Sequence, residues 1–560
     1  MKTSSYLYIF VLSCLLNVFA FQSAQGAHVI TEPAELMIDG ASAPYSSLAP
    51  GDTVLLKGGA RPYLLIRNFT GSATKLIVFI NYLGQVTIDT DWHYGIVFRN
   101  CRYFKLTGTG DPANFYGIMI TRVQNGAGLS IGELSSNAEV DHVYIDHVSQ
   151  SGIFAKTDPD CSLTSTRDQF TMYNTVIHDC FVGHTGDEGF YIGSSFYGGK
   201  TINCNGRDTM VFPHLMDGVR IYNNIVMYTG WDGIQVGSAS TNCQIFNNLV
   251  MYDSQDETNY QMSGILIGGG SRCDCYNNYI YKGKGDGIES LGLGDYRIFN
   301  NIIVDAGRSY QPGDPSKMKY GIYVNDNSAR PNSSFTIVFN DIINPKSNGI
   351  RFSSVTTRNN LIASNAIINP GLGSNAYIVM PNPSSQVTMK NNYFALDDRT
   401  AGFLDSLYRL GPTSPLIDNA NADARGVYFD YFYRSRPAGI KYDIGAHEFN
   451  ATIPQDPPGE GDEHLVPLPD GESHCSVHPM TFPNPVQKNL TITYTIDQAS
   501  DVELIIYDIQ GKGFYHENQV QQFAGEHLFR VDAESFPAGV YLFSIRASGR
   551  TCTGKFFKID

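Results

Sequence analysis

The sequence predicts an all-β chain, a right-handed parallel β-helix followed by a small C-terminal β-sandwich. Three observations carry this reading. Two short units, one led by an aromatic residue and asparagine and the other by glycine, recur through the middle of the chain. Charged residues make up only 17% of the 560 residues while glycine and aromatics are plentiful, a balance that suits short strands and tight turns better than charged helices. Behind a proline- and glycine-rich stretch, the chain end alternates apolar and polar residues with the period of strands. A chain this long exceeds one compact domain, and a solenoid escapes that limit because its core grows along one axis.

The first element, residues 1–26, reads as a signal peptide. Lys2 gives a basic start, Tyr6 to Phe21 is almost all apolar, and small residues follow at Ala24, Gly26 and Ala27. A membrane anchor is the competing reading, but the run is short and no basic flank follows it. Lipidation at Cys14 fits less well, because the apolar run continues past it. No later segment is long and apolar enough to span a membrane, so the mature protein is expected to be secreted without one. The formal charge of −15 argues against nucleic acid as a partner. An anionic polysaccharide would need a local basic patch or a bound cation. Ten cysteines include Cys14, which leaves an odd number in the mature chain, so not all can pair internally. Cys475 and Cys552 are a plausible pair, whereas Cys273 and Cys275 alternate with strand period and are expected to pack singly.

Residues 27–450 hold the repeat. The first unit appears as Tyr222-Asn223-Asn224, Phe246-Asn247-Asn248, Tyr276-Asn277-Asn278 and Phe299-Asn300-Asn301, each followed by an apolar run. The second reads Gly233-Ile234-Gln235-Val236, Gly264-Ile265-Leu266-Ile267, Gly287-Ile288-Glu289, Gly321-Ile322-Tyr323-Val324 and Gly349-Ile350-Arg351-Phe352, with earlier copies at Gly128, Gly152 and Gly189. The uneven spacing of copies suits a coil of short strands with loops inserted at its corners. Each strand would pair in parallel with its equivalent one coil on, about 4.8 Å away, and paired asparagines would stack as a ladder. A β-propeller also repeats, but with longer units and hairpins.

This pattern resembles the parallel β-helix repeat family, which includes pectate-lyase-like enzymes, polygalacturonase-like hydrolases and phage tailspikes. Residues 28–92, with the turn Leu48-Ala49-Pro50-Gly51-Asp52, resemble the N-terminal cap of such proteins. Residues 414–449, ending in Asp443-Ile444-Gly445-Ala446-His447-Glu448, resemble their exit rung, which implies structural acidic residues there.

Residues 451–474 read as a linker and residues 475–560 as the sandwich. Strands are expected at Leu490–Ile496, Val502–Asp508, His527–Val531, Val540–Arg546 and Lys555–Ile559. Phe482-Pro483-Asn484-Pro485, Tyr507-Asp508-Ile509-Gln510-Gly511-Lys512, Ala538-Gly539-Val540-Tyr541 and Lys555-Phe556-Phe557-Lys558 resemble the type IX secretion C-terminal sorting domain. That resemblance implies the type IX machinery as a partner, export across the outer membrane, and removal of the domain. A carbohydrate-binding sandwich would want clustered exposed aromatics, and none stands out.

Chemistry is expected on one long face. The position two after each repeat glycine gives an outward column of Ser130, Phe154, Tyr191, Gln235, Leu266, Glu289, Tyr323 and Arg351, where aromatics can stack on sugar rings and polar groups hold hydroxyls. Ordinary stacking on a solvated sheet face is the plainer reading of any one member. Reactive residue types crowd between 154 and 236: Lys156, His184, Asp187, Glu188, Tyr191, His214 in an insertion, Arg220, Trp231 and Asp232. His178 and His184 read as structural. Glu188 and Asp232 both precede a repeat glycine and would lie one coil apart, Asp232 and Asp286 two. Carboxylates so placed raise each other's affinity for protons and allow either hydrolase geometry. β-Elimination on a uronic acid needs a base and a neutralising cation. Lys156 or Tyr191 is the candidate base, with Arg220, or calcium on Asp187 and Glu188, as the candidate neutraliser. Val143-Tyr144-Ile145-Asp146-His147 is similar to a pectate-lyase signature, though the strand–turn repeat alone generates such a string. The reading that follows is a monomeric, polysaccharide-active secreted protein. Lys156, Glu188, Tyr191 and Asp232 are its catalytic candidates. Phe154, His214, Arg220, Trp231, Gln235, Glu289, Tyr323 and Arg351 are its substrate-binding candidates. The preferred reaction is lyase chemistry, the alternatives a glycoside hydrolase or a glycan-binding adhesin.

Overall fold

A computed structural model describes residues 27–111, 114–371, 376–451, 480–482, 486–508, 511–547 and 550–559. The expected signal peptide, the expected linker and Cys475 lie outside these residues. Among the described residues no helix is long and apolar enough to cross a membrane. Nearly everything regular is strand, and the coils build two long parallel sheets of 23 and 12 strands. The larger sheet is two rows of strands joined at the long strand Ile77–Thr90, which pairs with both Arg102–Thr107 and Ile118–Val123. Each coil therefore has three sides.

The repeat units account for the three sides. The residues before the asparagine pair form one row, with Ile221 opposite Ile245 and Ile245 opposite Cys275. The apolar run after the pair forms the second, with Val226 opposite Val250 and Val250 opposite Ile280. The glycine units form the 12-stranded sheet, with Phe190, Ile234, Ile265, Ile288, Ile322 and Ile350 in successive register. These inward side chains are fully buried in one core, and each contributes about 1.5–3 kcal/mol. The repeat glycine is fixed by space, since a Cβ on Gly233 would sit 2.5 Å from both Gly264 O and Val250 Cγ1.

The corner between the first two rows is set by the asparagines. The first of each pair takes the left-handed conformation, with φ of 56° at Asn223, 55° at Asn247, 54° at Asn277 and 53° at Asn300. Asparagine tolerates it better than most residues. The second of each pair points inward and forms a ladder. Asn224 Nδ2 donates to Asn248 Oδ1 (3.0 Å), Asn248 to Asn278 (3.0 Å), Asn278 to Asn301 (3.0 Å), Asn301 to Asn340 (2.9 Å), Asn340 to Asn365 (2.9 Å) and Asn365 to Asn392 (2.9 Å). Beside it the rings of His178, Tyr222, Phe246, Tyr276 and Phe299 stack at 4.7–5.0 Å, one per coil.

Two sequence expectations are corrected. Residues 403–449 add no further coil. They run back along the outside of the larger sheet, where Tyr431 O accepts from Asn277 Nδ2 (3.1 Å), Phe429 O accepts from Asn300 Nδ2 (2.9 Å), and Tyr433 OH donates to Asn247 Oδ1 (3.0 Å). Their acidic residues are structural, with Asp430 on Arg434 (2.6 Å) and Glu448 near the buried Arg436 (3.7 Å). Cys273 does not pack singly. It lies directly opposite Cys243 and is disulfide-bonded to it, while Cys101, Cys180 and Cys275 are buried free thiols. A second disulfide, Cys161–Cys204, joins two loops. Cys552 is disulfide-bonded as well.

The C-terminal sandwich pairs a sheet of Met480–Phe482, Asn489–Ile496 and Gly525–Asp532 with a sheet of Gly513–Gln522, Ser500–Asp508, Gly539–Ala547 and Arg550–Lys558, all antiparallel. The strand Gly513–Gln522 was not expected, because its mostly polar sequence occupies an exposed edge.

Candidate functional site

The column expected from the glycine units forms in register on the 12-stranded sheet. Ser130 lies opposite Phe154, Phe154 opposite Tyr191, and the pairing continues through Gln235, Leu266, Glu289, Tyr323 and Arg351. It is not one open trough. Gln235 and Leu266 are 2% and 6% exposed, whereas the members on either side are half-buried. Two half-open stretches result, one around Phe154 and Tyr191, the other from Glu289 to Arg351.

Beside the column runs a second ladder, the residue before each glycine. Backbone bonds from Gly152 to Glu188 (3.1 Å), Gly189 to Asp232 (3.0 Å), Gly233 to Ser263 (2.9 Å) and Gly287 to Tyr320 (2.9 Å) put Ser151, Glu188, Asp232, Ser263, Asp286 and Tyr320 on successive coils. Glu188 and Asp232 are thus one coil apart, and Ser263 separates Asp232 from Asp286. Ser151 Oγ donates to Glu188 Oε2 (3.0 Å) and Ser263 Oγ to Asp232 Oδ1 (2.6 Å). Burial pushes the Glu188 carboxyl up to about 7, opposed by its hydrogen bonds, with Asp187 adding to the rise. Burial holds Asp232 well above the carboxylate range, and the nearby Glu289 and Glu188 reinforce it. Among the described residues, Asp232 Oδ2 and Gln235 Nε2 are buried without a hydrogen-bond partner.

The first stretch is built around Lys156, which is 6% exposed. Its Nζ lies 3.1 Å from Asp158 Oδ1 and 4.2, 5.1 and 5.9 Å from the ring centroids of Tyr191, Phe154 and Phe196. Tyr191 OH shares a hydrogen bond with Ser195 Oγ at 3.0 Å. The ammonium is thus held by one carboxylate and three aromatic faces. His214 sits behind it, and both ring nitrogens serve the backbone: Nε2 accepts from Thr157 N (3.1 Å) and Nδ1 donates to Leu215 O (3.0 Å). Burial lowers its proton affinity, so it is a neutral post that fixes the loop carrying Lys156.

The insertion after Tyr191 forms an antiparallel hairpin, Lys200–Cys204 with Arg207–Val211, tied to the 158–170 loop by Cys161–Cys204. Arg167 staples the two, lying 4.3 Å from the Tyr197 ring centroid and 5.2 Å from that of Phe212.

The second stretch holds another cation and carboxyl group. Lys319 Nζ lies 3.1 Å from Asp286 Oδ2 and donates to Met262 O (3.0 Å). Burial and Asp286 push Glu289 up to about 7, and Asp286 and Glu289 keep Lys319 above its ordinary value in spite of its burial. Arg351 bonds Tyr320 OH and lies 5.6 Å from the Tyr323 ring centroid.

Not every candidate joins these stretches. Arg220 lies between Val176 and Gln244 on the larger sheet, because it belongs to the asparagine unit and not to the glycine unit. Trp231 is half-buried at a corner, its backbone N–H donating to Asp187 O (3.1 Å). Among the described residues, metal-ligand atoms converge at Asp146–His147–His184 and at Glu139–Asp141–His178, and Asp187 and Glu188 belong to neither group. Ser151, Ser263, Phe196, Lys319 and Tyr320 were missed. The two serines and Tyr320 follow from the same repeat position as Glu188, and Lys319 stands one residue before it, whereas Phe196 lies in an inserted loop that no periodicity reaches.

No curated protein matches the chain. Among solved structures, an alginate lyase from Paenibacillus sp. str. FPU-7 is 12% identical, with 59% of this chain and 99% of that one covered and a TM-score of 0.39. The pectate lyase Pel9A is 14% identical, over 72% and 89%, at 0.38, and a complex of XylC with xylose is 8% identical, over 88% and 99%, at 0.33. Likeness at this level assigns neither substrate nor reaction. Residues 215–396 match the right handed beta helix region and residues 480–559 the secretion system C-terminal sorting domain. With both matches falling on the parallel coils and the antiparallel sandwich described above, the chain is a right-handed parallel β-helix protein carrying a type IX secretion sorting domain that directs it across the outer membrane.

Proposed function

We propose that this exported protein is a polysaccharide lyase that cleaves a uronic-acid-containing glycan by β-elimination at the stretch around Lys156, Glu188 and Tyr191. The observation that carries the reading is the close company of a caged ammonium, a phenol and a carboxyl that holds its proton to about pH 7. Lys156, paired with Asp158 at 3.1 Å, neutralises the substrate carboxylate and so acidifies the C5 proton. Tyr191, in its ionised form, takes that proton. The electron pair becomes the C4–C5 double bond as the C4–O4 bond breaks, and Glu188 gives its proton to the departing oxygen. Phe154 and Phe196 wall the site. A retaining hydrolase would need one ionised carboxylate as nucleophile, and burial biases both Glu188 and Asp232 toward the protonated form.

The test is a panel of uronate glycans, with unsaturated product and new reducing ends followed together, with and without a calcium chelator. A lyase raises both signals, and neutralisation by Lys156 makes the rate insensitive to chelation. Reducing ends alone would mean hydrolysis, and glycan binding with neither signal would mean an adhesin.

Glu188 sets the expected pH dependence. Because its protonated form is the working one, Glu188 contributes a factor to kcat that declines above about pH 7. Glu188→Gln lowers kcat and removes that factor's pH dependence. The folded value lies above the unfolded 4.5, so the native state binds this proton more tightly. Its contribution to stability is full below about pH 4.5 and lost as pH rises through about 7. Glu188→Gln therefore melts above the wild type at about pH 8 while losing activity.

A further inference from the structure

In a two-layer sandwich each sheet packs one face and wets the other, so its strands should alternate apolar and polar. Two strands of the sorting domain break that rule. Val540-Tyr541-Leu542-Phe543 and Phe556-Phe557 are unbroken apolar runs. Tyr541, Phe543 and Phe556 fill the sandwich core. Val540, Leu542, Phe557 and Ile559 lie outside that core, yet are only 7%, 5%, 2% and 2% exposed. They belong to one apolar cluster with Phe115, Tyr116, Tyr144 and Phe181 of the β-helix, and Tyr507 packs against it.

A charge is set into the same boundary. Lys555 Nζ donates to Asn223 O (2.7 Å), lies 3.5 Å from Asp179 Oδ1 and 5.3 Å from the Phe115 ring centroid. Burial alone would raise the Asp179 carboxyl, but Lys555 and His178 hold it well below its ordinary value. Asp179 and Asn223 follow strands of the larger sheet, so this contact leaves the Phe154–Arg351 column uncovered.

We propose that the outer apolar face of the sorting domain is a clamp on its own β-helix, anchored by Lys555 on Asp179, and that the domain stays bound after the connecting segment is cut. Release then takes a second, separate step. The reading is independent of the glycan chemistry above.

A site-specific protease sequence placed between residues 452 and 474 of the full chain tests it, with gel filtration at micromolar concentration after cleavage. The two pieces of the otherwise unaltered chain should co-elute. Those of Lys555→Glu should separate, and adding Asp179→Lys should restore co-elution, with near-UV circular dichroism reporting that each variant is folded. Separation of the unaltered pieces, or co-elution of the Lys555→Glu pieces, would overturn the clamp, the first leaving the apolar face free for the secretion machinery. Failure of the charge swap to restore co-elution would overturn the ion pair as its anchor.

Discussion

Replacing Lys156 by methionine is expected to lower kcat on a uronate glycan by about 10²–10³-fold, the usual effect of losing one preorganised electrostatic group. Methionine keeps an aliphatic stem against Phe154 and Tyr191, so the change isolates the charge. KM should rise less than kcat falls, because negative charge on the substrate grows as the C5 proton leaves. Asp158 is left without its 3.1 Å partner, but its side chain is 46% exposed and water can take over. A Lys156→Met protein with wild-type kcat would remove the proposed chemistry from this stretch.

The second large effect concerns the fold. Asn301→Ala is expected to cost about 3–5 kcal/mol, from buried groups left unpaired at about 1–3 kcal/mol each. The backbone N–H and the Nδ2 of Asn278 both donate to Asn301 Oδ1, at 3.1 and 3.0 Å. Asn301 itself donates to Cys275 O (3.0 Å), Phe299 O (3.1 Å) and Asn340 Oδ1 (2.9 Å). In a solenoid each coil leans only on its neighbours, so a fault in the middle uncouples the two halves. Thermal unfolding should then broaden or split. Asn391→Gly, on an exposed corner of the last coils where φ is 49°, is the control and should move the midpoint little, because glycine takes that conformation freely.

Much of this architecture was legible because the repeat fixes register. Once Gly189 and Gly233 are taken as equivalent, Tyr191 must face Gln235, and Glu188 must sit one coil from Asp232. The Cys243–Cys273 bond could have been read the same way, since each cysteine stands three residues before the aromatic of its asparagine unit. Alternation along one strand hid it, because disulfide partners here are neighbours across coils. Arg220 failed for the complementary reason: crowding in sequence with the reactive residues between 154 and 236 suggested one face, while the unit it belongs to put it on another. What periodicity does not reach is cover. Nothing in Gln235 or Leu266 themselves tells that they are buried while Tyr191 and Tyr323 stay half-open, and the residues that cage Lys156 from the next coil include Phe196, in a loop of no regular spacing.

The interrupted column bears on how the protein would measure its ligand. Tyr191 and Glu289 are three coils apart, about 14 Å at the strand spacing. With the glycan bound along the column as proposed, a single sugar would occupy either open stretch, but only a chain would occupy both. Once one stretch is filled, the other meets a tethered partner at high effective concentration. Such a surface counts length as well as recognising chemistry. It would ignore the small fragments left at the end of digestion and hold the intact polymer by avidity. Affinity measured along a series of oligosaccharides of one sugar should therefore climb in a step at the length that first bridges the gap.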